Sequence, residues 1–256
     1  MNRLNELFAR KQEPLLSIYF TAGYPEINST LDIAEELEKA GADFLEIGFP
    51  YSDPLADGPV IQQSSQKALA NGMTVDLLFE QLKELRTRVS IPVLLMGYFN
   101  PMLQYGVEKF CSACAEAGVD GVIIPDLPMY EYEGMYRRCF TSNGISNIFL
   151  ITPHTSDERI RKIDDLSDGF IYLLSSSATT GKNLALNEEA DNYFARIKNM
   201  NLKNPTMIGF GISNRESFQK AAQFTRGAIV GSAFVKILGE DNYAEKIKDF
   251  ISGLKN

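Results

Sequence analysis

Eight short apolar runs, each followed by a stretch of helical periodicity, constrain this chain more than any other feature of its sequence. The runs are rich in branched residues and lie at Leu15–Phe20, Phe44–Gly48, Val93–Met96, Val122–Ile124, Ile148–Ile151, Phe170–Leu174, Met207–Phe210 and Ala228–Val230. Between them apolar residues recur at spacings of three and four, as in Ile33, Ala34 and Leu37, or Leu78, Leu82 and Leu85, or Ile247, Phe250, Ile251 and Leu254. Each helical pattern has a polar opposite face, so each covers a sheet from one side only. The runs themselves lack clean alternation, which is how strands read when parallel and covered by helices.

Eight such βα units in 256 residues predict an α/β protein built as a (β/α)8 TIM barrel. An open doubly wound sheet would more often show five or six strands and an early Gly-rich dinucleotide turn, which this chain lacks. Ala40-Gly41-Ala42-Asp43 and Ala117-Gly118-Val119-Asp120 both close a helix ahead of a strand, with Gly placed for the left-handed cap. No linker, low-complexity stretch or charge run breaks the pattern, so residues 1–256 read as a single barrel domain. Leu4, Leu7 and Phe8 predict an extra N-terminal helix that caps the bottom of the barrel.

Charge narrows the partners. With 25 basic against 33 acidic residues, a net charge of -8 and no basic block, the chain is a poor candidate for nucleic acid or an anionic membrane. No apolar run reaches the roughly 18 residues of a membrane span, and the polar start has no signal-peptide core, so a cytoplasmic location is expected. Three cysteines, Cys111, Cys114 and Cys139, do not suggest a disulfide framework.

In a barrel the chemistry gathers at the carboxyl ends of the strands, so the residues just after each apolar run matter most. One acid, Glu46, sits inside the second run, and the loop Phe49-Pro50-Tyr51-Ser52-Asp53-Pro54-Leu55-Ala56 leads to another, Asp57. Burial disfavours an ionised carboxyl and raises its pKa, so a strand-interior acid marks a site of acid–base work. After the sixth run comes Ser175-Ser176-Ser177-Ala178-Thr179-Thr180-Gly181, small enough to close over a ligand. The seventh and eighth exit through Gly209-Phe210-Gly211-Ile212-Ser213 and Gly231-Ser232, where backbone amides and a helix start suit a phosphate.

Other candidates have plainer readings. Asp57 before Gly58, and Asp53 before Pro54, each fit an ordinary turn when taken alone. His154, the sole histidine, has no acidic or cysteine cluster beside it and reads as a loop residue. Cys111 and Cys114 lie on the apolar stripe of a helix with no second pair, which is core packing rather than a metal or redox site. The three serines lack a nucleophile elbow. Lys67, Lys182 and Lys236 fall outside the strands, where a barrel aldolase would place a Schiff-base lysine.

The segment Leu45 to Gly58 matches the signature of the tryptophan synthase alpha chain family. Phe20-Thr21-Ala22-Gly23-Tyr24-Pro25, Pro125-Asp126-Leu127-Pro128 and Gly209-Phe210-Gly211-Ile212-Ser213 resemble the same family at the expected intervals. The resemblance covers nearly the whole chain. It implies retro-aldol cleavage of indole-3-glycerol phosphate to indole and glyceraldehyde 3-phosphate, with indole passed to a beta chain. That beta chain would carry pyridoxal phosphate, with no metal or cofactor in the chain at hand, in an alpha2beta2 heterotetramer.

Residue by residue, the resemblance gives Glu46 the proton transfers and Asp57 the indole N–H. Substrate walls fall to Tyr172, Tyr19, Met96, Ile124, Leu150 and Phe210, with Thr180 bonding Asp57 on loop closure. Phosphate contacts fall to Gly181, Gly211, Gly231 and Ser232. It also places the Asp53 stretch against the partner, and Asp126 reads as either a loop anchor or part of that same interface. One departure is Ala178, where the family usually has Gly, which removes backbone angles open to Gly in the sixth loop. Two alternatives stand beside this reading: a stand-alone lyase releasing free indole, and a non-catalytic module that activates a beta chain.

Overall fold

The computed structural model describes residues 2–174, 188–209 and 211–255. Its strands are β1 (Leu15–Thr21), β2 (Phe44–Gly48), β3 (Val93–Met96), β4 (Gly121–Ile123), β5 (Ser146–Ile151), β6 (Ile171–Leu174), β7 (Thr206–Gly209) and β8 (Gly227–Val230). Each pairs in parallel with the next, and β8 pairs with β1, so the sheet closes into a barrel. Helices fill every connection described from end to end, as the alternating sequence pattern predicts.

Alternation along each strand divides the core in two. Phe44, Leu94, Ile123, Ile148, Phe170, Tyr172, Met207 and Ile229 point into the barrel and form one cluster. Their chain neighbours, among them Leu45, Ile47, Leu95, Val122, Ile171 and Val230, pack outward against the helices in a larger cluster. Both faces are therefore apolar, and the strands read as unbroken apolar runs.

The extra N-terminal helix spans Arg3–Arg10, with the Asn2 side chain accepting from the Asn5 N–H as its cap. Leu4, Leu7 and Phe8 are buried in the inner cluster. The Phe8 ring lies 6.2 Å from Phe44 and 5.7 Å from Phe170, and those two are 5.6 Å apart, so three rings close the amino end of the barrel.

Two buried acids tie the same end together. Gly41 and Gly118 both take the left-handed cap conformation, at φ 100° and 76°, and each leads into an acid, Asp43 or Asp120. Asp43 accepts from the Leu16 N–H at 2.8 Å and pairs with Lys11 and Lys255. Asp120 accepts from the Val93 N–H at 2.9 Å and pairs with Arg3 and Arg86. One device thus anchors successive strands twice: a helix stop, a turn of chain and an acid that caps the neighbouring strand.

The pattern around Met135, Tyr136 and Cys139 resolves into three pieces: Met129–Glu131, a π-helical turn Tyr132–Tyr136, and Arg137–Ser142. The three cysteines are free, and Cys111 and Cys114 are buried between helices and barrel. Among the described residues no helix is long and apolar enough to cross a membrane, and no group of histidine, cysteine and acidic residues is arranged to hold a metal ion.

Candidate active site

Glu46 lies in β2 between two outward residues, Leu45 and Ile47, so its side chain points into the barrel. It has no solvent exposure. Its register partner on β1 is Tyr19, and its one described hydrogen bond comes from the Ser17 hydroxyl to Oε1 at 3.2 Å. Oε2 has no hydrogen-bond partner among the described residues. Burial pushes the carboxyl up to about 8, against the pull of the Ser17 donor. That rise favours the protonated acid, the form that can give a proton away.

Asp57 ends the loop after β2, just before the helix Pro59–Ala70. Its backbone carbonyl accepts from Gln62 Nε2 at 2.7 Å. Partial burial raises its carboxyl, and a hydrogen bond from the Tyr98 hydroxyl works against that rise. The same Tyr98 oxygen accepts from the Ala56 N–H at 3.0 Å, so one phenol holds both the acid and its loop. Burial pushes the Tyr98 phenol up to about 12, which keeps its proton available for donation.

Tyr98 follows β3 by two residues and was not among the candidates read from the sequence. Its signal was positional, because it stands where the carboxyl end of a barrel strand delivers side chains to the mouth. Ser17 gave no signal of its own, since one small polar residue in an apolar run acquires a role only when the β1–β2 register is known.

Tyr19 and Tyr172 are the two inward tyrosines near the acids. Burial raises both phenols, with further upward pushes from Asp57 on Tyr19 and from Glu46 on Tyr172. Both need glycine opposite. A Cβ at Gly48 would lie 2.2 Å from the Tyr19 hydroxyl, and one at Gly209 would lie 1.9 Å from that of Tyr172. The missing side chains at the ends of β2 and β7 thus make room for two rings.

A narrow cavity opens beside these groups, lined by Tyr19, Phe49, Asp57, Met96, Tyr98, Leu150 and Leu174. Its walls are mainly apolar with an acid on one side, the environment a flat heteroaromatic ring with one N–H requires. Of the residues expected as substrate walls, Tyr19, Met96 and Leu150 line this cavity. Ile124 instead belongs to the outer cluster, because β4 begins at Gly121 and parity turns Ile123 inward.

Gly211 and Gly231 stand at the mouth after β7 and β8, both partly exposed. Gly231 precedes the short helix Ser232–Leu238 and gives it no side-chain cap, and a Cβ on Gly231 would touch Tyr19 at 3.5 Å. The glycine-rich exits and the acid cluster therefore share one end of the barrel. Thr180, Gly181 and Phe210, with Ala178 and the serines 175–177, lie outside the described residues. His154 is exposed in a turn. Asp126 accepts from the Phe99 N–H at 2.8 Å and anchors the start of the helix Phe99–Tyr105.

A closed parallel barrel with a buried acid pointing inward, a second acid and an apolar cavity at its open mouth is the framework of an acid–base enzyme acting on a small molecule. Comparison with known proteins gives the class a family. The family model described as tryptophan synthase alpha chain matches residues 5–254, and the chain belongs to that family.

The tryptophan synthase alpha chain of Flavobacterium psychrophilum is 56% identical over 252 residues, covering 98% of this chain and 99% of that one. That of Bacteroides thetaiotaomicron is 52% identical, covering 96% of each. Among solved structures, the alpha chain from Legionella pneumophila superposes with a TM-score of 0.88 at 34% identity, covering 99% of this chain and 96% of that one. A chain of the tryptophan synthase complex from Pyrococcus furiosus gives 0.86 at 36% identity, covering 95% and 98%. The family's reaction is the C–C lyase cleavage of indole-3-glycerol phosphate; its alpha chains carry no cofactor and work with a pyridoxal-phosphate beta chain.

Proposed function

We propose that this chain cleaves indole-3-glycerol phosphate to indole and glyceraldehyde 3-phosphate, with Glu46 moving the protons and Asp57 holding the charge. The observation that carries the reading is Glu46: an acid with no solvent exposure, pointing into the barrel, whose burial favours the protonated form. Indole leaves poorly as a carbanion, so C3 must be protonated before the C–C bond can break. Glu46 supplies that proton and then takes one from the glycerol hydroxyl as it becomes an aldehyde, a type of assistance worth roughly 10²- to 10⁴-fold.

Protonation at C3 leaves positive charge on the ring nitrogen. Asp57 accepts the N–H and stabilises that charge, and Tyr98 keeps the carboxylate and its loop in place. Tyr19, Met96, Leu150 and Tyr172 enclose the ring, with Thr180 and Phe210 assigned the same task by family resemblance. Amides at Gly181, Gly211, Gly231 and Ser232 hold the phosphate.

A beta chain as partner fits the exposed apolar surface of the connections after the early strands. Leu55, Leu103, Tyr130 and Met135 are large, apolar and exposed, and they follow β2, β3 and β4, which are adjacent in the barrel. Exposed large apolar side chains of this kind suit a protein interface. They favour a subunit over a stand-alone lyase. We read residues 1–256 as one domain acting in the cytoplasm. The test is turnover of indole-3-glycerol phosphate with and without a beta chain. Cleavage strongly stimulated by the partner is expected, whereas undetectable cleavage alongside raised beta-chain activity would make this chain a non-catalytic activator.

A further inference from the structure

A carboxyl group has two oxygens, and a proton shuttle uses one of them at a time. Those of Glu46 are not equivalent. Oε1 accepts the Ser17 hydroxyl at 3.2 Å, while Oε2 has no hydrogen-bond partner among the described residues. Ser17 and Glu46 are both without solvent exposure, so water does not blur the distinction. The carbonyl oxygen of a carboxylic acid accepts a hydrogen bond far better than its hydroxyl oxygen. A donor fixed on Oε1 therefore makes Oε1 the carbonyl and leaves the proton on Oε2.

The placement follows from the sheet. Ser17 faces Phe44 in the β1–β2 register and Tyr19 faces Glu46, so Ser17 sits one inward position deeper in the barrel than the acid. It reaches Glu46 from below, on the side of the inner apolar cluster that contains Phe44 and Phe170. Apolar residues of similar size would fill the same space, so packing alone does not call for a hydroxyl.

We propose that Ser17 is a positioning residue for the reaction, its hydroxyl pinning Glu46 Oε1 so that Oε2 alone carries the mobile proton. The proposal rests on the reading of Glu46 as proton carrier. In the forward step the Oε2–H bond breaks as a C–H bond forms at indole C3, and Oε2 keeps the electron pair. In the return step Oε2 takes the proton of the glycerol hydroxyl. The O–H electrons become the second bond of the aldehyde, and the electrons of the breaking C–C bond return to the ring. Glu46 ends protonated on the oxygen it began with, ready for another cycle.

The test is the pH profile of kcat/KM for Ser17→Ala and Ser17→Thr, assayed with the beta chain present. The Ser17 donor favours ionised Glu46, so its removal should move the alkaline limb upward by about one pH unit. kcat should fall about tenfold with KM little changed, and Ser17→Thr should restore the limb. A merely structural serine would lower the whole curve without moving it, and an unmoved limb overturns the proposal.

A second measurement does not depend on turnover. The infrared carbonyl stretch of protonated Glu46, identified by its loss in Glu46→Gln, should shift to higher frequency in Ser17→Ala as the hydrogen bond to Oε1 disappears. An unshifted band also overturns the proposal. If Glu46→Gln still cleaves substrate, the assignment of Glu46 fails instead, and the infrared shift continues to report on the Ser17 contact by itself.

Discussion

The two ends of the barrel bury the same kind of side chain and treat it in opposite ways. At the amino end Asp43 and Asp120 each have a backbone N–H and two cationic partners. At the carboxyl end Glu46 has one hydroxyl and Asp57 is bonded by a phenol, with burial the leading influence on both. Charges that are fully matched hold strands in register; charges left short of partners keep or exchange protons. Stability and reactivity are thus separated along the barrel axis, as the division of labour in this architecture requires.

Substitutions at either end sharpen the contrast. Glu46→Gln should lower kcat by about 10²- to 10⁴-fold, measured as indole release. The same variant should be the more stable protein at alkaline pH. The folded pKa of Glu46, about 8, lies above its ordinary 4.5, so the native state holds a proton that the unfolded chain has lost between those values. The stability this carboxyl contributes is complete below about 4.5 and is lost as pH rises through about 8. Urea titrations from pH 5 to 9 should show Glu46→Gln gaining on wild type by up to a few kcal/mol; curves that stay parallel would mean that Glu46 ionises normally.

At the other end, Asp120→Ala should cost about 3–5 kcal/mol by removing a buried acid that half-buried Arg86 and the Val93 N–H both need. Denaturant midpoints measure that loss. The pH profile of the remaining activity should be unchanged, and a moved profile would break the separation between the two ends. Tyr98→Phe removes the hydroxyl from Asp57 and the Ala56 N–H together, and should cost about tenfold in kcat/KM at little cost in stability. The smallest effect belongs to the surface: Lys83→Ala breaks an exposed pair with Glu80 and should change unfolding free energy by less than about 0.5 kcal/mol.

Much of this was legible in the sequence, for identifiable reasons. Parallel strands covered by helices are apolar on both faces, so all eight stood out as runs, and Glu46 was conspicuous as the acid within one of them. Asp57 reads as a plain turn residue without its surrounding signature. Tyr98 and Ser17 were missed because their roles depend on neighbours from other strands. Ile124 shows the cost of a boundary one residue out, because alternation then exchanges inside for outside. The helix stops at Gly41 and Gly118 were visible, but not the use of the acids that follow, since Lys255 reaches Asp43 across 212 positions of chain.

The three rings at the foot of the barrel, Phe8, Phe44 and Phe170, give the molecule a direction. A barrel stoppered at its base turns the traffic beside Glu46 toward its mouth. The cavity there is walled by Phe49, Met96 and Leu150, with Asp57 on one side. An apolar product formed there is steered to the end of the barrel that carries the loops after the strands, and the direction of that traffic is set by a plug at the far end.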